Sequence, residues 1–372
     1  MNPRASSADP GARGLPPIRR LVVKIGSSSL TSADGGLDET QVSRLASEVS
    51  RVHRKGTPTV LVSSGAIAAG LSPLGLKRRP TDIPSLQAAA SVGQGALMHA
   101  YQRAFARRRV KVGQVLLTQD DFIRRKGYVN ANAALSRLLA LGVVPIVNEN
   151  DTVAVDEIRF GDNDRLAALV ANLVHAELLV ILSDVDGVHA QDPSRGRSHV
   201  LDRIDDPSSI GVMKTRAGSH VGSGGMASKM EAAKIASASG VGVVIANARR
   251  EGVLASILAG ELVGTYVPAR RGRGQSRKLW IAFTQTPRGV VVVDAGAKKA
   301  LVDGGRSLLP AGVVEHRGAF ALGDAVEVVG PDGVVFAKGL VNYASDEIDG
   351  VRGRSIREGG REIIHRDSLV IL

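Results

Sequence analysis

Cysteine is absent from all 372 residues, and with it go disulfides, thiolate nucleophiles and every zinc site built on sulfur. A thiol-free chain is compatible with a reducing cytoplasm, which is the expected location. Aromatic residues make up only 3%, which counts weakly against a binder of single strands built on stacking platforms. Long apolar runs are missing too. The longest are broken by Lys24, Asp184 or glycine, so none is long enough for a membrane-spanning helix, and a soluble chain with no membrane partner is expected. The eight histidines, among them His53, His99, His175 and His365, lack metal-ligand spacing. No metal site on these histidines and no Ser-His-Asp arrangement is expected.

What is present is ordinary in bulk: 44% hydrophobic and 23% charged residues, as in a globular protein. The length exceeds one core and predicts two domains. The net charge of +12 fits a nucleic-acid partner, a polyanionic substrate or an arginine-rich surface, and charge alone does not choose among them.

Residues 1–17, with Pro3, Pro10, Pro16, Pro17, Gly11 and Gly14, read as a disordered tail. Over 18–267, short β-branched runs alternate with helical patterns, which predicts an α/β domain: a largely parallel sheet sandwiched by helices. The expected strands are Leu21 to Ile25, Thr59 to Ser63, Lys111 to Leu117, Val143 to Asn148, Leu178 to Ser183 and Gly242 to Ala246. Asp38 caps a first helix whose inner face is Val42, Leu45, Ala46, Val49 and Val52. Residues 268–277, rich in arginine and glycine, read as a basic linker. Valine-rich runs and glycine turns over 278–372 predict a small β-barrel, with strands at Val290 to Val293, Ala325 to Val329, Val334 to Ala337 and Ser368 to Leu372.

Ligands on parallel sheets gather beyond the carboxyl ends of strands, and the polar segments of the first domain fall there. Lys24 precedes Gly26-Ser27-Ser28-Ser29, a turn suited to phosphate, although the spacing is not that of a Walker A loop. A lysine snorkelling from an edge strand is the plainer alternative. The run Ser223-Gly224-Gly225-Met226-Ala227-Ser228-Lys229 opens a helix, and glycines at a helix N-terminus attract anions. Ser63-Ser64-Gly65 ends a strand, and its serines can bind a carboxylate or serve only tight helix packing. Asn148-Glu149-Asn150-Asp151 and Gly161-Asp162-Asn163-Asp164 are dense in amides and carboxylates, as an amino-acid head group requires: carboxylate for the ammonium, amides for the carboxylate. Two lysines with an aspartate between them suit phosphoryl transfer. Magnesium on some of the acids between Asn148 and Asp164 is a second possibility beside a nucleotide-borne ion.

Taken together, Val-Lys-Ile-Gly-Ser at 23–27, Val-Ser-Ser-Gly-Ala-Ile at 62–67, Asn-Glu-Asn-Asp at 148–151, Phe-Gly-Asp-Asn-Asp at 160–164, Leu-Ser-Asp-Val-Asp-Gly at 182–187 and Gly-Gly-Met-Ala-Ser-Lys at 224–229 resemble the glutamate 5-kinases of the amino-acid kinase family. Segments 293–297, 307–313 and 338–343 look like the C-terminal PUA domain of their long form. The resemblance implies ATP-dependent phosphorylation of the side-chain carboxylate of L-glutamate to L-glutamyl 5-phosphate, the first step of proline biosynthesis. It implies Lys24 and Lys229 on the transferring and leaving phosphates, with Asp164 organising them, and Ser64, Asn148, Asp151 and Asn163 on glutamate. Ser183, Asp184 and residues 223–229 would contact ATP, with Mg2+ carried on the nucleotide; Ser183 stands where many relatives have threonine. Feedback inhibition by proline, a homo-oligomer and a glutamyl phosphate reductase partner are implied as well. Two alternatives stay open: another acceptor on the same fold, or an RNA-binding protein acting through the PUA domain, since PUA domains elsewhere bind RNA.

Overall fold

The computed structural model describes residues 13–32, 35–118, 121–122, 125–153, 163–190, 198–207, 225–270, 287–354 and 361–371. The chain divides into two compact units between Arg273 and Gly274.

The first unit runs β1 (Leu21–Ile25), α1 (Glu39–Arg54), β2 (Thr59–Ser63), α2 (Ala66–Leu71), α3 (Ile83–Ala106), β3 (Lys111–Leu117), α4 (Arg125–Ala140), β4 (Val143–Glu149), α5 (Asp164–Leu173), β5 (Leu178–Ser183), α6 (Met226–Ala238), β6 (Gly242–Asn247), α7 (Val253–Leu258) and β7 (Thr265–Val267). The strands form one sheet in the order β3-β4-β2-β1-β5-β6-β7, parallel except for the β6–β7 pair. All six expected strands are present. β7 is an addition: three residues are too few to display a period in sequence.

Strand β1 lies in the middle of the sheet between β2 and β5, and all five of its residues are buried. Lys24 therefore does not snorkel from an edge; it pairs in register with Val62 and Ile181 and is 2% exposed. A cation so placed needs a fixed counter-charge. Helix α1 begins as expected, with Asp38 accepting from the Gln41 N–H at 3.0 Å. Helices α2 and α3 meet at glycines: a Cβ on Gly70 would lie 1.9 Å from the Ala89 carbonyl oxygen, and one on Gly93 1.8 Å from that of Ala66. Tight packing is thus one role of the small residues after Ser64, and it draws the middle of α3 against the loop that follows β2.

The packed chain starts earlier than a tail to residue 17 allows. Arg13 is buried, and its guanidinium donates to the Val263 carbonyl at 2.8 Å and to the Gly264 carbonyl at 2.5 Å. Residues 1–12 lie outside the described residues. At the other end, the first residues of the expected linker pack on the same unit: the Ser237 hydroxyl donates to the Pro268 carbonyl at 2.6 Å and the Arg270 N–H to the Ser237 carbonyl at 2.9 Å. Residues 271–277 lie outside the description.

The second unit contains β8 (Gly289–Val293), α8 (Ala295–Val302), β9 (Val313–Arg317), β10 (Ala325–Val329), β11 (Val335–Leu340), α9 (Ser345–Val351) and β12 (Leu369–Ile371). Its five-stranded sheet has the order β12-β11-β10-β8-β9, with one parallel pair, β8–β10. Val291, Val293, Leu301, Val326, Val328 and Ile364 belong to a core of its own. Strand β9 was not expected; its last three residues, Glu315-His316-Arg317, hide the pattern because it runs along the sheet edge. No helix among the described residues is long and apolar enough to cross a membrane.

Candidate active site

Strands β4, β2, β1 and β5 are neighbours and parallel, so their carboxyl ends deliver Asn148 to Asp151, Ser63 to Gly65, Gly26 to Ser29 and Ser183-Asp184 to one edge of the sheet. Helices α5 and α6 direct their N-termini to the same place, as the contacts below require. Asp164 is the first residue of α5, where the helix dipole favours a carboxylate. It is fully buried, with Oδ1 2.5 Å from Lys24 Nζ and Oδ2 3.4 Å from Lys229 Nζ. Ser228 Oγ also donates to Oδ2, at 3.4 Å. Lys229 rises from the beginning of α6, which Gly225 caps, and is 5% exposed. The two lysines and the aspartate expected to act together do meet.

The turn after β1 is a single 3-10 turn, Ser27–Ser29. Its Gly26 N–H donates to the Leu182 carbonyl at 3.4 Å and its Ser29 N–H to the Gly26 carbonyl at 3.2 Å, so the amides it can offer a phosphate are those of Ser27 and Ser28. Gly26 has ordinary backbone angles, and a Cβ there would meet only Lys24 Nζ at 3.7 Å and Ser28 Oγ at 3.9 Å. The protein itself leaves room for a side chain; the open space lies beside the lysine.

One residue before Asp164, Asn163 points the other way. Its Nδ2 donates to the Ser63 carbonyl at 2.7 Å and to Asn148 Oδ1 at 2.6 Å. Both amide protons are then used, and the atom Asn163 can offer a ligand is Oδ1, an acceptor. This corrects the expectation that the amides as a group take a carboxylate. Asn148 Oδ1 also accepts the Glu149 N–H at 2.9 Å, and Asn148 Nδ2 donates to Gln94 Oε1 at 2.6 Å. Ser63 Oγ donates to the Ser64 carbonyl at 3.0 Å and lies 2.8 Å from the Tyr101 hydroxyl. The serine's one proton being used, the phenol is the donor, and burial pushes its pKa up, which keeps that proton in place. The Ser64 hydroxyl is buried with no hydrogen-bond partner among the described residues.

Asp151 and Glu149 line a cavity of about 200 Å³ together with Asn150, Thr152, Gln94 and Ser91. Arg79 lies near enough to Asp151 to feel its charge: burial pulls the guanidinium pKa down, and the Asp151 carboxylate partly restores it. Sequence reasoning named neither Arg79 nor Gln94. Arg79 stands in an unremarkable basic run, but Gln94 is flanked by Gly93 and Gly95 inside a helix, a signal of close approach.

On the nucleotide side, Ser183 is buried and its hydroxyl donates to Asp184 Oδ1 at 3.0 Å, while Asp184 is exposed. Gly225, Met226 and Ala227 form the start of α6. Ser223 and Gly224 lie outside the described residues, as do Gly161 and Asp162. Among the described residues no three His, Asp or Glu side chains cluster as metal ligands, and both Asp164 oxygens face lysines. Asp164, with both oxygens on lysines, is not placed as a metal ligand.

The amino acid kinase family model matches residues 19–247, and the PUA domain model residues 289–358. A glutamate 5-kinase from Streptomyces coelicolor is 53% identical over 95% of this chain and 96% of its own length. Glutamate 5-kinases from Thermobifida fusca (50% identity, 95% of this chain and 93% of theirs) and a Geobacter species (46%, 96% and 99%) are similar over nearly the same extent. A solved UMP kinase from Bacillus anthracis aligns with 68% of this chain and 97% of its own at 16% identity, with a TM-score of 0.48. With its motifs ordered along a sheet of this topology and the family match covering most of the first unit, the chain belongs to the amino acid kinase family.

Proposed function

We propose that the protein transfers the γ-phosphoryl group of ATP to the side-chain carboxylate of L-glutamate, giving L-glutamyl 5-phosphate and ADP. One observation carries this: the consecutive residues Asn163 and Asp164 join two polar networks, one of amides beside a cavity that holds Asp151, the other a pair of buried ammonium groups. An amino-acid head group suits the first and a triphosphate suits the second. The relatives' common name points to the same acceptor.

The reaction needs no general base, because a glutamate side chain with a pKa of about 4.3 is already ionised at neutral pH. Catalysis then consists of positioning and of stabilising charge as it spreads over the phosphoryl group. Asp151 and Asn163 Oδ1 accept from the substrate ammonium. Asn148 and the Ser64 hydroxyl hold the amino acid from the strand ends. Lys24 meets the transferring phosphoryl group and Lys229 the departing phosphates, while Asp164 keeps both ammonium groups at fixed positions and neutralises one of the two charges. Ser183, Asp184 and the start of α6 at residues 225–228 contact the nucleotide, as do residues 223 and 224 by the resemblance. Magnesium, bound to the nucleotide, supplies further charge neutralisation.

The product is an acyl phosphate, which water destroys, so a reductase that consumes it promptly belongs to the same scheme. Cytoplasmic placement, a homo-oligomer and inhibition by proline rest on the resemblance to the glutamate 5-kinases.

Trapping tests the acceptor. The purified chain with ATP, magnesium, L-glutamate and hydroxylamine is expected to form one hydroxamate per ADP. ADP release without hydroxamate, or hydroxamate formed only with a different amino acid or an N-acetylated one, would reject the assignment.

A further inference from the structure

The amide chain that starts at Asn163 has a direction, and the direction ends at a donor with no partner among the described residues. The Ser63 carbonyl can only accept, which fixes the nitrogen of Asn163 on that side. That nitrogen also meets Asn148, whose facing atom must then be its oxygen, and the Glu149 N–H on the same atom agrees. Asn148 consequently presents its nitrogen to Gln94, so the Gln94 atom in contact is Oε1. Each orientation is forced by the one before, and the first is set by the backbone. The remaining end of the chain is Gln94 Nε2, which is buried and has no hydrogen-bond partner among the described residues. A buried donor left without an acceptor is unfavourable.

Gln94 lines the cavity that also holds Asp151 and Thr152. Its place there is rigid: the neighbouring Gly93 lies against the Ala66 carbonyl with no room for a Cβ, which pins this turn of α3 beside the end of β2. Resting on the glutamate reading above, we propose that Gln94 is a specificity-determining residue whose Nε2–H group donates to the α-carboxylate of the amino-acid substrate. The α-ammonium and α-carboxylate hang on one carbon, so a donor for the second must open on the same cavity as the acceptor for the first. Asn163 does not serve as that donor, since both of its amide protons are already used. Gln94 has an uncommitted amide proton among the described residues and lines the cavity.

Gln94→Glu separates carboxylate recognition from mere support of Asn148. A glutamate side chain still accepts from Asn148 Nδ2, so the support survives, but an anionic oxygen replaces the donor. The expected result is a KM for L-glutamate raised at least about tenfold, with the KM for ATP and the kcat at saturating glutamate within about twofold, on the scale of one hydrogen bond to a charged group. The preference of the enzyme for glutamate over its α-amide, taken as a kcat/KM ratio, should fall at least about fivefold, because the amide does not repel the new carboxylate. An unchanged KM and an unchanged ratio would overturn the proposal and reduce Gln94 to a prop. Calorimetric binding of L-glutamate without ATP reads the same contact apart from turnover. A wild type that binds glutamate more tightly than Gln94→Glu yet forms no hydroxamate would sink the phosphoryl-transfer reading alone. If Gln94→Glu does not fold, Gln94→Met, similar in shape and without the donor, must weaken glutamate binding while leaving nucleotide binding intact; equal binding of glutamate by that variant would likewise reject the assignment.

Discussion

Lys24 and Lys229, remote in the chain, are held by the two oxygens of a single carboxylate, Asp164, at 2.5 and 3.4 Å. All three side chains are out of water. Asp164 is thus the counter-charge that both buried ammonium groups share, and a buried cation needs one.

Asp164→Asn should therefore cost stability as well as activity. A neutral amide would leave two buried cations without their common counter-charge, a loss of about 3–5 kcal/mol by analogy with other broken buried pairs. Urea unfolding of the variant against the wild type measures it. A loss below about 1 kcal/mol would mean that water or another anion already compensates the lysines.

Asp151→Ala should act on substrate binding. Removing the carboxylate from the cavity deprives the substrate ammonium of its charged partner, and the KM for glutamate should rise at least about tenfold, in line with the loss of a charge-assisted bond. The KM for ATP should stay within about twofold. Initial-rate kinetics with each substrate varied in turn will show whether the effect is confined to glutamate.

Gly26→Ala isolates the phosphate's need for space. The added methyl group meets protein atoms only at 3.7 Å and beyond, and the backbone there is one any residue adopts, so the melting temperature should move little. The same methyl group stands beside Lys24 Nζ, where a phosphate oxygen must come. The KM for ATP should rise or turnover fall by about tenfold or more; a fully active variant would place the phosphates elsewhere.

The sheet was legible because parallel strands buried on both faces are written as short β-branched runs, and the bounds of β1, β2 and β5 coincide with those runs. Lys24 was legible for the complementary reason: a charge inside such a run requires a partner. What the sequence hid was anything depending on partners far along the chain. That Asn163 offers an acceptor and Gln94 a donor follows only from who holds the other ends of their amides. Arg13 was missed because prolines and glycines around it mask a side chain that clamps two carbonyls some 250 residues away. Strands β7 and β9 were missed because one is three residues long and the other mixes charge into an edge.

The most direct test of the shared lysine site is the turnover number of Lys24→Ala and Lys229→Ala, each assayed by hydroxamate formation at saturating ATP and glutamate. Each variant should retain the wild-type circular dichroism spectrum and lose at least about a hundredfold in kcat, the scale of removing one preorganised electrostatic donor. A folded variant of either lysine that turns over at near the wild-type rate would contradict the account.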